Sequence, residues 1–373
     1  MIKASADLFS RVMQRWLPDA FIIAVILTMV VFVSGIIFQG QSISSMADYW
    51  GNGIWTLLRF SMQMVLILVL GTVLAMSKPI KALLTATTKM AKTPSQGVVL
   101  VTLVSMFAMW LNWGFGLVVG ALIAREVAIH VKHSHLPLLI AAAYSGLLVW
   151  HSGLSGSIPL KIASGGNDAL GQLMEGQVIP LAETIFAWQN IAIVLALAIS
   201  LPLLNMLMMP DKEQRHGFLG KVETERTVDI KTLSPAEKLE YYPLINFLLF
   251  AVGIVFLWGY ISSGKGINFN SINLCLLLAG LALHVNPYNY LKAVRDAIGT
   301  SSGIVIQYPL YAGLMGMMVD SGLATDMSQW FVEISTADNF SVFSFLSAGV
   351  VNFFIPSGGG QWAVQAPIVV PAA

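Results

Sequence analysis

The chain has 373 residues, of which 56% are apolar and 10% charged, and its formal net charge is +1. A soluble globular domain carries roughly 25% charged residues, so this composition excludes an ordinary soluble fold and points to a protein of the lipid bilayer. Near-neutral charge gives no basis for a nucleic-acid partner, and the single cysteine, Cys275, excludes an internal disulfide and a cysteine metal cluster.

The N-terminal stretch MIKASADLFSRVMQRW is basic and amphipathic, and a long apolar run follows it. A signal-peptide core has roughly 7–15 apolar residues, so this longer run reads as a retained first spanning helix. Spans are expected near 17–38, 53–76, 136–160, 187–209, 243–262, 271–287 and 301–320. Two further stretches, 97–131 and 340–370, are too short or too interrupted for a pair of full spans each and too long for a single one. Segment 210–242 holds six Lys/Arg and seven Asp/Glu and reads as a solvated loop between a first half, 1–209, and a second half, 243–373.

Positive charge orients these spans. Lys3, Arg11 and Arg15 put the N-terminus in the cytoplasm, and loop 39–52, without Lys or Arg, lies outside. Loop 77–96 carries Lys78, Lys81, Lys89 and Lys92 and no acid, so it is inside, as are Arg125 and Lys132. The stretch 97–131 therefore leaves from and returns to the cytoplasm, which makes it a re-entrant hairpin. Loop 161–187, with one lysine and three acids, is outside. Loop 210–242 is inside, Lys265 is outside, and Lys292 with Arg295 are inside. Segment 321–339 has three acids and no Lys or Arg, so the 340–370 hairpin enters from the outside.

An internal repeat accompanies this alternation. RFSMQMVLILVLGTVLAMS (59–77) lies on GIVIQYPLYAGLMGMMVDS (303–321) without a gap, pairing Gln63 with Gln307 at an offset of 244. LNWGFGLVVG (111–120) lies on VNFFIPSGGG (351–360), pairing Asn112 with Asn352 at an offset of 240. The two Gln helices run in opposite senses by the charge pattern, which is the inverted-topology repeat of secondary transporters. Only 21 residues follow Asn352, so the counterpart of 150–160 is missing and the chain is expected to be C-terminally truncated.

Irregular backbone at membrane depth survives only when buried in protein or lining a watery cavity. Three places qualify: NWGFG (112–116), WHSGLSGSIPL (150–160) and VNFFIPSGGGQ (351–361). Their candidate binding residues are Asn112, Trp113, Gly114, Gly116, Ser152, Gly153, Ser155, Gly156, Ser157, Asn352, Pro356, Ser357, Gly358, Gly359, Gly360 and Gln361, with Gln365 on the same run. Half-helix N-termini leave amides with partial positive charge and serines add donors, which suits a small carboxylate. Exposed carbonyls suit Na⁺.

Other polar residues divide between readings. Gln63 and Gln307 are either interhelical glue or substrate contacts. Arg59 snorkels or pairs, or else meets the anion. His151 hydrogen-bonds at the tip or carries a proton. His130, His133 and His135 sit at an interfacial turn without a carboxylate set for a metal, and no intramembrane enzyme motif is present.

RWLPDAF, WGNGIW, KTPSQGV, NWGFGLVVGA…AREVA, SGLSGSIPL and VNFFIPSGGGQWAVQAP resemble the short-chain fatty acid transporter family of the acetoacetate/butyrate uptake type, along the whole chain. The resemblance implies a bacterial inner-membrane carrier for short carboxylates, coupled to Na⁺ or H⁺ rather than using a bound cofactor. More distantly it implies an all-α, elevator-type architecture with two opposed re-entrant hairpins and often a homodimer. Family members continue past VVPAA. On this basis the carboxylate is expected between the two hairpin tips. A dicarboxylate is the alternative substrate and needs more fixed positive charge, for which only Arg59 is available. A channel, a receptor-like membrane protein or an intramembrane enzyme are the alternatives of another class.

Overall fold

Capping residues set where the apolar runs become helices. The structure, a computed structural model, describes residues 15–16, 18–165, 169–212, 215, 233–336, 338–354 and 358–372, and among these residues there are helices and turns but no strand. Helix α1 (Ala20–Gln39) starts at Asp19, whose carboxylate accepts the Phe21 amide at 2.8 Å, and stops at Gly40 with φ 62°. Helix α2 (Ile43–Gly53) follows from an N-cap at Ser42. The outside loop expected at 39–52 is thus mostly an amphipathic helix, and the next span, α3 (Leu58–Ala75), begins later than the expected 53–76.

Helix α4 (Lys78–Thr88) precedes a helical pair, α5 (Pro94–Leu111) and α6 (Trp113–His130). A Thr93–Gln96 capping box opens the pair three residues before the expected 97. Each member has 18 residues and is long and apolar enough to cross a membrane. The expected span at 136–160 is broken. It consists of α7 (Leu136–Ser145), a 3₁₀ turn at Gly146–Val149, irregular backbone, and α8 (Ser157–Ser164). The short α9 (Ala169–Leu173) and the long α10 (Trp188–Leu207) complete this half.

After the polar segment come α11 (Pro235–Glu240), α12 (Pro243–Ser262), α13 (Phe269–His284), α14 (Pro287–Ile298), α15 (Ser302–Asp320) and α16 (Leu323–Ile334). The last pair is α17 (Phe340–Phe354) and α18 (Gly358–Ala372). Helix starts recur along the chain: α2 and α14 begin 244 residues apart, as do α3 and α15. Among the described residues, seven helical stretches have the length and hydropathy to cross a membrane, so the protein is an all-α polytopic membrane protein.

The chain forms two compact units, each drawn from both halves. One comprises 1–65, 157–180 and 301–373; there α15 packs against α1, α2 and α18, and α18 also touches α8, α9, α16 and α17. The other comprises 66–156 and 181–300; there the α5–α6 pair packs with α7, and α5 with α10. Its core joins Val98, Val101, Ala108, Val119, Ile123, Val127 and Leu139, all buried. Small residues let the paired helices approach: a Cβ on Gly116 would lie 2.5 Å from the Met109 nitrogen.

Candidate functional site

The break between α5 and α6 is a single residue. Asn112 has extended backbone (φ −159°, ψ 125°), closing one helix as C-cap and opening the next as N-cap. Its Oδ1 accepts the Phe115 amide at 2.7 Å, and its Nδ2 donates to the Ile67 carbonyl at 3.1 Å. The Ser155 hydroxyl accepts the Trp113 amide at 2.8 Å. Asn112 and Ser155 are both buried. These two side chains supply partners for the first amides of α6, which a helix start otherwise leaves open.

The second irregular segment is tied to the same tip. Leu154 donates its amide to the Trp110 carbonyl at 2.7 Å, and a Cβ on Gly153 would collide with that carbonyl oxygen. Only glycine lets these two backbones meet. Trp150 donates through Nε1 to the Ser155 carbonyl at 3.2 Å and packs its ring 5.3 Å from Trp113 and 4.3 Å from His151. Asn190, at the start of α10, donates to the carbonyls of Ser152 (3.0 Å) and Ile185 (2.7 Å). The structure therefore brings Asn112, Trp113, Gly114, Gly116, His151, Ser152, Gly153, Ser155 and Gly156 into one unit, and the side chains of Asn112 and Ser155 seal its backbone.

The other candidates fall in the other unit. Pro356 and Ser357 lie outside the described residues. Gly358, Gly359 and Gly360 open α18 and are buried. Asn352 donates to Gln361 Oε1 at 2.9 Å, and Gln361 Nε2 donates to the Ala348 carbonyl at 3.0 Å and to Gln365 Oε1 at 3.2 Å. Gln365 Nε2 donates to the Ser347 hydroxyl at 2.8 Å. Gln361 and Gln365 are thus the rungs of an amide ladder joining α17 to α18. Arg59 lies on an exposed position of α3, and Gln63 and Gln307 are half-buried.

Two features of α8 carry a different signal. Ser157 is fully buried, and its hydroxyl has no hydrogen-bond partner among the described residues. Lys161, one turn later, is only 6% exposed. Sequence reasoning placed Lys161 among the charges of an outside loop; its spacing of four from Ser157 is the signal that puts the two on one helical face.

The family profile described as "Short chain fatty acid transporter" matches residues 1–373. An Escherichia coli (strain K12) protein named "Putative short-chain fatty acid transporter" is 42% identical over 378 residues, covering all of this chain and 85% of that protein. A Haemophilus influenzae protein of the same name is 38% identical over 382 residues, covering all of this chain and 86% of its own length. No solved structure matches the chain.

Proposed function

The chain belongs to the short-chain fatty acid transporter family, and from that membership we propose that it is a secondary active carrier for butyrate, acetoacetate or a similar small monocarboxylate. It takes these up across a bacterial inner membrane with its N-terminus in the cytoplasm, coupled to Na⁺ or H⁺. Its two helical pairs are re-entrant hairpins entering from opposite faces in an inverted repeat, and it works as a homodimer.

The observation that carries the reading is the break at Asn112, joined to the 150–156 segment through Ser155 and Trp110. Membrane proteins interrupt helices inside apolar runs where irregular backbone is buried or lines a cavity, and carriers build substrate and ion sites there.

The test is uptake of labelled butyrate and acetoacetate by proteoliposomes of the full chain under imposed Na⁺ or H⁺ gradients. Saturable uptake, counterflow and competition graded by chain length are expected. Flux without saturation or counterflow would make the protein a channel, and a chemically altered product would make it an enzyme.

A further inference from the structure

We propose that Ser157 and Lys161 on α8 form the anion-binding face of the carrier and hold the carboxylate of a monoanionic substrate. This deepens the transport reading and rests on it. Helix α8 packs against α18 within one unit, and on it Ser157, Leu160 and Lys161 are buried. Residues four apart stand on one helical face, so Ser157 and Lys161 share a side of α8.

The side chains of this face include hydrogen-bond donors. The Ser157 hydroxyl sits at the first residue of an eight-residue helix, where free amides and the helix dipole favour negative charge. That hydroxyl is fully buried without a partner among the described residues, a state that costs free energy unless a ligand supplies the missing bond. Lys161 Nζ has the Gly165 carbonyl as one of its partners, at 3.2 Å, and Gly165 adopts φ +58°. Burying an ammonium is expensive unless negative charge or hydrogen-bond acceptors meet it there. Here the donors are a hydroxyl, helix amides and one ammonium.

The experiment is butyrate binding to the purified full chain in nanodiscs, with melting temperature recorded for each variant. Lys161→Gln is expected to raise the butyrate Kd by about tenfold or more, the loss of one charge-assisted contact, while Lys161→Arg stays within about threefold of the parent. A Lys161→Gln Kd within about threefold of the parent, or Lys161→Arg as impaired as Lys161→Gln, would overturn the proposal. Should the Lys161 variants fail to fold, Ser157→Ala decides: a Kd raised about threefold or more supports the site, and an unchanged Kd overturns it. A parent chain that neither binds nor transports butyrate overturns the transport reading itself. A parent that binds, with Ser157 and Lys161 indifferent, overturns this site alone.

Discussion

Asn112 holds its tip with both ends of one amide group. Replacing it by alanine leaves the part-buried Phe115 amide, one of the open amides of a helix start, without its acceptor at about 1–3 kcal/mol, and removes a second bond to the Ile67 carbonyl inside α3. Asn112→Ala should therefore lower the melting temperature of the purified protein, and Asn112→Asp should not restore it, because a carboxylate cannot donate to Ile67. An unchanged melting temperature in Asn112→Ala would mean that the tip is held elsewhere. Gly153→Ala should be at least as damaging, since the new Cβ meets a backbone carbonyl that cannot rotate away. Gly51→Ala is the control: a Cβ there meets nothing within 4 Å, and alanine favours the helix. Equal melting temperatures for the two glycine variants would remove the close-approach argument. At this scale the sequence marked Asn112 and Ser155 as candidate binding residues, and the structure shows that each also partners an opening amide of α6. An asparagine or serine beside a helix start serves equally as a cap or a ligand, and the sequence does not show its hydrogen-bond partners. Lys161 was hidden for the opposite reason, because burial of a loop-like lysine is set by segments distant in sequence.

The two helical pairs are closed by different means. Between α5 and α6 the backbones approach at small residues, as Gly116 does at Met109. Between α17 and α18 the closure is polar, through Ser347, Gln365, Gln361, Asn352 and the Ala348 carbonyl. Interhelical hydrogen bonds in lipid contribute about 0.6–2 kcal/mol each. Gln361→Leu removes the contacts to Asn352, Ala348 and Gln365, whereas Gln365→Leu removes those to Gln361 and Ser347. The first variant should therefore melt at the lower temperature. The reverse order would show that the pair is not held through Gln361. The spacing of four between Gln361 and Gln365 was visible in the sequence, but their partners on α17 were not. A glutamine pair on one helical face has the same spacing whether it faces a substrate or a neighbouring helix.

At the scale of the molecule, the contacts can be compared with the charge pattern. Contacts within each unit join segments that the charge pattern assigned to the same side. Gln39 hydrogen-bonds Asp326, and Gln41 donates to the Ser321 carbonyl at 3.3 Å, linking the two segments read as outside. Thr85 donates to Glu126 at 3.2 Å, Arg215 donates to the His133 carbonyl at 3.4 Å, and Tyr241 stacks on Tyr288 at 4.4 Å, linking segments read as inside. Helical spans were legible because lipid demands long apolar runs, and the uneven sharing of Lys and Arg among short loops gives the expected sidedness. The two units were not legible, because residues 157–180 join a body made mostly from the two ends of the chain. Absolute orientation has a direct test, since one substitution, Cys275→Ser, yields a cysteine-free background. Single cysteines replacing Lys92, Lys238, Lys265 and Glu333 all stand at exposed positions. In intact cells with a permeable outer membrane, a membrane-impermeant maleimide should label positions 265 and 333 and spare 92 and 238 until the inner membrane is opened. The opposite pattern would invert the protein while leaving the same-side contacts intact. Labelling of 92 together with 333 would separate charge from sidedness, and with it would go the argument that the two helical pairs enter from opposite faces.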